Sequence, residues 1–214
     1  MDNTTHTIRI GTRNSRLAMI QTEMVADSLR AAAPGTQVLL EARLTTGDKI
    51  LNKPLQEFGG KGVFVSEFEE GILEGRLDLA VHSAKDMPME LAEGLSIVGV
   101  PRREDPRDVL VTAAGRPVPE TGEIVIGTSS PRRKLQIELG TDLWPGGSVR
   151  CENLRGNVQT RLGKLESGMY HGIILAAAGL KRLGLLGDPR YNFQFLECES
   201  FIPAGGQGIL AVEG

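Results

Sequence analysis

Cysteine is scarce in this chain, with only Cys151 and Cys198 among 214 residues. Two thiols do not make a disulfide framework, and neither belongs to a Cys-x-x-Cys pair, so a reducing, cytoplasmic setting is expected. The three histidines, His6, His82 and His171, are scattered without ligand spacing, which argues against a transition-metal site. Aromatic residues make up 4% of the chain, so any core must be aliphatic. No apolar run approaches the roughly 18 residues of a membrane span, and the opening Met1 to Thr7 is polar, so neither a spanning helix nor a secretory leader is expected. Positive charge is not in excess either. A net charge of −3 and a pI near 5.7 speak against a non-specific nucleic-acid binder while leaving room for a local basic pocket. What remains, 40% hydrophobic and 24% charged residues, is the composition of a globular protein with one large domain or two of about 100 residues.

Strand-like and helix-like patterns alternate from the start. Thr7 to Gly11 reads as a buried strand. Ser15 to Ala33 reads as a helix whose apolar face is Leu17, Ile20, Met24, Val25 and Leu29, stopped by Pro34-Gly35. Gln37 to Leu44, Leu77 to Val81 and Leu95 to Val100 follow as strands, with helical spacing over Val63 to Glu74. Pro101 to Arg107 packs two prolines and five charges into seven residues, which suits a crossing between domains. The alternation then restarts. Strands are expected at Val109 to Thr112, Glu123 to Ile126, Ser148 to Cys151 and Gly172 to Leu175, and helices at Pro131 to Leu139, Val158 to Leu165 and Ala176 to Leu183. Ile209 to Val212 is a lone apolar run at the end, expected to return to a sheet built earlier. Short β/α connections of this kind point to an α/β fold with mostly parallel sheets covered by helices.

In such folds, ligands bind beyond the carboxyl ends of strands, where helix N-termini present unpaired N–H groups. The joint Gly127-Thr128-Ser129-Ser130-Pro131-Arg132-Arg133 offers a glycine, three hydroxyls, a helix cap, a proline preset for the first turn and two guanidinium groups. Gly11-Thr12-Arg13-Asn14-Ser15 repeats the recipe with one arginine, and Leu154 to Arg161 carries Arg155 and Arg161. The first of these reads equally well as a capped helix with solvated arginines, and the other two, taken alone, read more readily as capped helices with surface charge. Together they concentrate guanidinium groups at strand ends of an acidic protein, the chemistry of a site for a small polyanion. Phe58-Gly59-Gly60-Lys61-Gly62 is glycine-rich but not a P-loop, because no Ser or Thr follows Lys61. Gly205 to Gly208 precedes a short apolar run rather than a helix, and so is not a dinucleotide fingerprint. Val81 to Pro88 holds the one close set of hydroxyl, ammonium and carboxylate groups in the first half, with Asp86 as acid/base candidate or as an ordinary turn residue. Ser83 and His82 are adjacent on a strand and so point to opposite faces, which makes them a poor nucleophile–base pair. Arg150 and Arg155 near Cys151 are neighbours of the kind that lower a thiol pKa, while a small core residue is the plainer role.

Taken in order, Gly11 to Ser15, Gly59 to Gly62, Val81 to Pro88, Arg103 to Asp108, Gly127 to Ser130 with Arg132-Arg133, Leu154 to Val158 with Arg161, Ala178 to Gly184, and Pro203 to Gly208 closely resemble the porphobilinogen deaminase (hydroxymethylbilane synthase) family across essentially the whole chain. The resemblance implies a transferase of tetrapyrrole and haem biosynthesis. Such an enzyme condenses four porphobilinogen molecules head to tail, releases ammonia at each step and yields hydroxymethylbilane. It implies two periplasmic-binding-protein-like lobes, one of residues 1–104 with 200–214 and the other of residues 105–199, with the chain returning to the first. It places the catalytic aspartate at Asp86. Side chains that hold substrate or cofactor fall at Arg13, Ser15, Lys61, Ser83, Lys85, Thr128, Ser129, Ser130, Arg132, Arg133, Arg155, Arg161 and Arg182. Porphobilinogen is the implied small-molecule partner, with no nucleic acid, no membrane, no metal, and a cytoplasmic monomer.

The resemblance also implies a dipyrromethane cofactor, bonded to a cysteine in a third, smaller domain that follows the equivalent of Gly214. Neither Cys151 nor Cys198 has the matching context, so the expectation is that no residue of this chain attaches the cofactor covalently. The chain alone would then be inactive or nearly so, the missing domain either continuing a longer chain or being supplied by a separate C-terminal partner. A family lysine just before the glycine-rich loop stands here as Glu57, one cation fewer. The alternative from another class is a non-catalytic module binding linear tetrapyrroles or polycarboxylates.

Overall fold

The computed structural model describes residues 6–44, 65–140 and 147–214. The glycine-rich loop with Lys61, and Glu57 before it, lie outside the described residues. The chain divides into two compact units, Met1–Glu104 with Ile209–Gly214, and Asp105–Gly208. Residues 200–208, expected with the first unit, belong to the second, because Phe201 is buried against Ile124, Ile126, Ile137 and Leu196 there.

Unit 1 contains β1 (Thr7–Arg13), α1 (Arg16–Ala32), β2 (Gln37–Arg43), α2 (Ser66–Leu73), β3 (Leu79–Ser83), a single 3-10 turn (Ala84–Asp86), β4 (Ile97–Gly99) and β10 (Leu210–Glu213), in strand order β2-β1-β3-β10-β4 among the described residues. Strand periodicity decides which face meets which helix. Ile8 and Ile10 of β1, with Leu79 and Val81 of β3 and Val212 of β10, pack with Val25, Ala26 and Leu29 of α1. The alternate residue Ala80 packs with Phe68 of α2 and with Leu77. Gly11 lies on that second face, and a Cβ there would come within 2.6 Å of Leu77 and 2.7 Å of Phe68, so only glycine lets the helix approach. The final strand returns as expected, into the gap between β3 and β4.

Unit 2 contains β5 (Asp108–Ala113), β6 (Gly122–Gly127), α3 (Pro131–Glu138), β7 (Gly147–Glu152), α4 (Val158–Glu166), β8 (Gly172–Ala176), α5 (Ala177–Arg182) and β9 (Tyr191–Leu196), in strand order β7-β6-β8-β5-β9. Tyr191, Phe193 and Phe195 of β9 alternate in the manner of a strand, a signal the sequence carries beyond the strands expected from it. The expected parallel pairing holds for β2-β1-β3 and for β7-β6-β8. The sheets are mixed rather than mostly parallel, because β10 runs antiparallel to both β3 and β4, and β5 to both β8 and β9. No helix among the described residues is long and apolar enough to cross a membrane.

Candidate functional site

The carboxyl ends of β1 and β3 are neighbours in unit 1, and their loops build a pocket. Arg13, Gln21, Val65, His82, Ser83 and Asp86 line it, with Ala18 and Val81. Local sequence puts each in place. Ser15 caps α1 by accepting a hydrogen bond from the Ala18 N–H at 3.3 Å, so the helix starts just after Arg13. Gln21, buried one turn into α1, donates to the Ser83 hydroxyl at 3.4 Å. β3 then tightens into the 3-10 turn that carries Lys85 and Asp86, both exposed. The turn is anchored by the Ala84 N–H donating to the Ile209 carbonyl at 3.0 Å. His82 is turned to the Phe68 side, ring edge to ring at 5.8 Å, whereas Ser83 meets Gln21 of α1. The two do not face one another, which agrees with rejecting them as a nucleophile pair.

The joints of unit 2 are built more tightly than their sequence suggests. Asp108, fully buried, accepts from Arg133 Nη2 at 2.6 Å and Nε at 3.1 Å, from Arg132 Nη2 at 2.7 Å and from the Gln207 amide at 3.0 Å. Burial pushes the Asp108 carboxyl upward, but attraction and hydrogen bonds from Arg133, then from Arg132, outweigh it and hold the group below the ordinary carboxylate value. Arg133 also donates to the Ile174 carbonyl at 2.9 Å, so all its nitrogens are engaged inside the protein. Arg133, expected to hold a ligand, is thus paired here with the buried Asp108 beneath the helix. Arg132 stays one quarter exposed, bonded to Asp108 and to the Ile202 carbonyl.

The hydroxyls of this joint are likewise occupied. Ser129 donates to the Leu154 carbonyl and accepts from the Leu154 N–H, each at 3.0 Å, Thr128 accepts from the Ser130 N–H at 3.2 Å, and Ser130 caps α3. Nearby, Gly156 turns the chain with φ +115°, a conformation reserved for glycine, and Asn157 caps α4 by accepting from the Thr160 N–H at 2.9 Å. That turn sets Arg155 and Arg161 half-buried around one loop, Arg161 donating to the Gly156 carbonyl at 2.8 Å. Arg182 donates to the Gly208 carbonyl at 2.8 Å.

Of the residues expected at the site, the structure brings Arg13, Ser83 and Asp86 to one pocket, and adds Gln21 and His82. Gln21 sits one turn past a cap on the site-facing end of α1, a placement that was available as a signal. The reactive reading of Cys151 is corrected: burial first, and then Glu138, push its thiol upward, with Lys134 only partly opposing. No group of three His, Cys, Asp or Glu among the described residues is arranged to hold a metal ion.

The family profile described as "Porphobilinogen deaminase, dipyromethane cofactor binding domain" matches residues 8–214. Among curated relatives, the porphobilinogen deaminase of Acetivibrio thermocellus is 47% identical over 207 residues, covering 96% of this chain and 68% of the relative. That of Roseiflexus castenholzii is 48% identical over 210 residues, covering 97% and 66%. The chain thus spans about two thirds of the length of these relatives. Among solved structures, the BenM effector binding domain with its effector benzoate aligns with TM-score 0.51 at 14% identity, covering 97% of this chain and 82% of that one. CbnR, a LysR family transcriptional regulator, aligns with TM-score 0.50 at 10% identity, covering 98% and 62%. At such identities the likeness is one of fold alone, that of periplasmic-binding-protein-like lobes.

Proposed function

The chain belongs to the porphobilinogen deaminase family, and from that premise we propose that it performs the substrate-holding and bond-forming work of a hydroxymethylbilane synthase. The observation that carries this reading is the meeting of Arg13, Ser83 and Asp86 in one unit-1 pocket.

Porphobilinogen is a pyrrole with acetate, propionate and aminomethyl substituents. A guanidinium suits its carboxylates, and the Ser83 hydroxyl, steadied by Gln21, adds a neutral donor. Asp86 accepts a hydrogen bond from the pyrrole N–H. As the carbon–nitrogen bond breaks and ammonia leaves with the electron pair, the ring and its methylene become cationic, and the Asp86 carboxylate stabilises that charge. The free α-carbon of a receiving pyrrole then adds to the methylene, and its hydrogen leaves as a proton. Arg13 holds the acidic side chains so that this bond forms at one carbon.

The same donors fit dipyrromethane, a polycarboxylate of two pyrroles: cation and hydroxyl for its carboxylates, a carboxylate for its N–H groups. When bound, it supplies the receiving pyrrole for the first addition. Arg132, Arg155 and Arg161 present a second set of cations in unit 2 for the acidic side chains of a growing chain. Neither cysteine is the attachment point, a reading supported by the burial that disfavours the Cys151 thiolate. The same reading makes the protein a cytoplasmic monomer. Calorimetric titration of porphobilinogen into the 214-residue chain tests the substrate assignment. Binding that weakens about tenfold or more in Arg13→Leu is expected, as for loss of a charged hydrogen bond, and wild-type heat no greater than dilution overturns it.

A further inference from the structure

One turn beyond Arg132 on α3, the Gln136 side chain holds both backbone polar groups of a single loop residue, Ile202. Its Oε1 accepts from the Ile202 N–H at 2.6 Å, and its Nε2 donates to the Ile202 carbonyl at 3.1 Å and to the Arg132 carbonyl at 3.3 Å. An amide carries a donor and an acceptor in one planar group and so can match both ends of a residue, whereas a carboxylate would set an oxygen against the Ile202 carbonyl. The Ile202 side chain is 65% exposed, so it is the backbone of this residue, not its side chain, that is pinned to α3. Phe201 anchors the loop in the core, and Gln136 sets the direction of the carbonyl that follows.

That carbonyl is the one Arg132 uses. Arg132 Nη1 donates to the same Ile202 oxygen, and Nη2 donates to Asp108 Oδ2 at 2.7 Å. Asp108 divides its oxygens, Oδ1 taking Arg133 and the Gln207 amide while Oδ2 takes Arg132. The Arg132 guanidinium is therefore gripped at both terminal nitrogens, by a neutral acceptor and by an anionic one. Its Nε and the second N–H of each terminal nitrogen have no partner among the described residues, and the side chain is 26% exposed. Three donors thus remain on a planar fork whose direction is already set, which is what two-point capture of a carboxylate requires.

We propose that Gln136 is a positioning residue for Arg132: by fixing the Ile202 carbonyl it holds the guanidinium in the direction that takes a carboxylate of a pyrrole chain. The proposal rests on the reading of Arg132 as a ligand cation given above and adds Gln136 to it. Gln136 itself touches no ligand. Without its amide the Ile202 backbone is released from α3, Arg132 keeps Asp108 alone, and the ordering of its side chain has to be supplied at binding.

The test is a double-mutant cycle on the 214-residue chain, read by calorimetric titration of a dipyrromethane that carries an acetate and a propionate on each ring. Arg132→Leu is expected to weaken binding about tenfold or more, as for loss of a charged hydrogen bond. Gln136→Leu, which keeps side-chain length and helix propensity, is expected to weaken it about three- to tenfold. Gln136→Glu, which keeps the bond from the Ile202 N–H and loses the one to its carbonyl, should do the same. The double variant Arg132→Leu/Gln136→Leu should bind no more weakly than Arg132→Leu alone, because nothing is left to position. The tetramethyl ester of the probe, which offers no carboxylate, should bind wild type and Gln136→Leu alike, a contrast that a merely structural role would not produce. Full affinity in either Gln136 variant, or effects that multiply in the double variant, overturns the proposal. Unchanged binding in Arg132→Leu, or a wild type that does not bind the probe, overturns the reading of Arg132 and this role with it. Weakened binding in Arg132→Leu beside unaffected Gln136 variants overturns this role alone.

Discussion

Asp108 Oδ1 accepts from Arg133 Nη2 at 2.6 Å, and both side chains are all but inaccessible to solvent. The pair joins the start of β5 to the first turn of α3, and the second carboxylate oxygen does the same for Arg132. Removing the carboxylate leaves a guanidinium buried without its counter-charge. Asp108→Ala is expected to lower the stability of unit 2 by about 3–5 kcal/mol, the range for breaking one side of a buried ion pair. Urea denaturation followed by circular dichroism measures it, and a loss under about 1 kcal/mol would place the pair among ordinary surface bridges.

The same carboxylate makes stability depend on acid. Its folded pKa lies below the ordinary value because of Arg133 and Arg132. Its contribution is therefore complete above the unfolded pKa of about 3.9 and is lost as pH falls through the lower folded value. Urea midpoints of wild type and Asp108→Asn should differ by a constant amount above about pH 5 and by progressively less as pH falls below about 3.9. A gap that stays constant as pH falls below that value would contradict the assignment.

Gly11 tests the packing that sets α2 against the sheet. A methyl group there meets Leu77 and Phe68 at distances real side chains do not tolerate. Gly11→Ala should therefore destabilise unit 1 by about 1–3 kcal/mol, the usual consequence of overpacking a core. Thermal unfolding reads the effect directly.

Cys151 should be a slow thiol. Burial pushes its pKa up, so at pH 7.5 little thiolate is present for alkylation. Iodoacetamide followed by peptide mass mapping should label Cys151 in the native protein far more slowly than in urea. Equal rates would restore the reactive reading.

Sequence pattern reached much of the fold because the relevant physics is local. Ser15, Ser130 with Pro131, and Asn157 cap the helices whose starts they announce, and the arginines after them were visible as charge at strand ends. What those arginines do was not visible. Arg133 is spaced from its neighbours like a ligand-binding group, and only the packing of α3 near the start of β5 brings Asp108 to it and buries the pair. The His82–Glu213 contact likewise exists because the final strand inserts beside β3, a pairing between strands far apart in the chain. Alternation on β10 says that Glu213 and Val212 take opposite faces, but not that the Glu213 face is sealed. Asp86, by contrast, was legible as the one carboxylate beside a hydroxyl and a lysine just past a strand.

The most direct test is turnover of porphobilinogen by this chain joined to the remaining third of the Acetivibrio thermocellus relative, with and without Asp86→Asn. The substitution is nearly isosteric and removes only the charge proposed to stabilise the departing-ammonia cation. Loss of at least about a hundredfold in kcat, with porphobilinogen affinity within about threefold of wild type, is expected for a group that acts on the transition state. Equal turnover by both proteins would contradict the role given to Asp86. An inactive fusion that still binds porphobilinogen tightly would make the pocket a binding module instead.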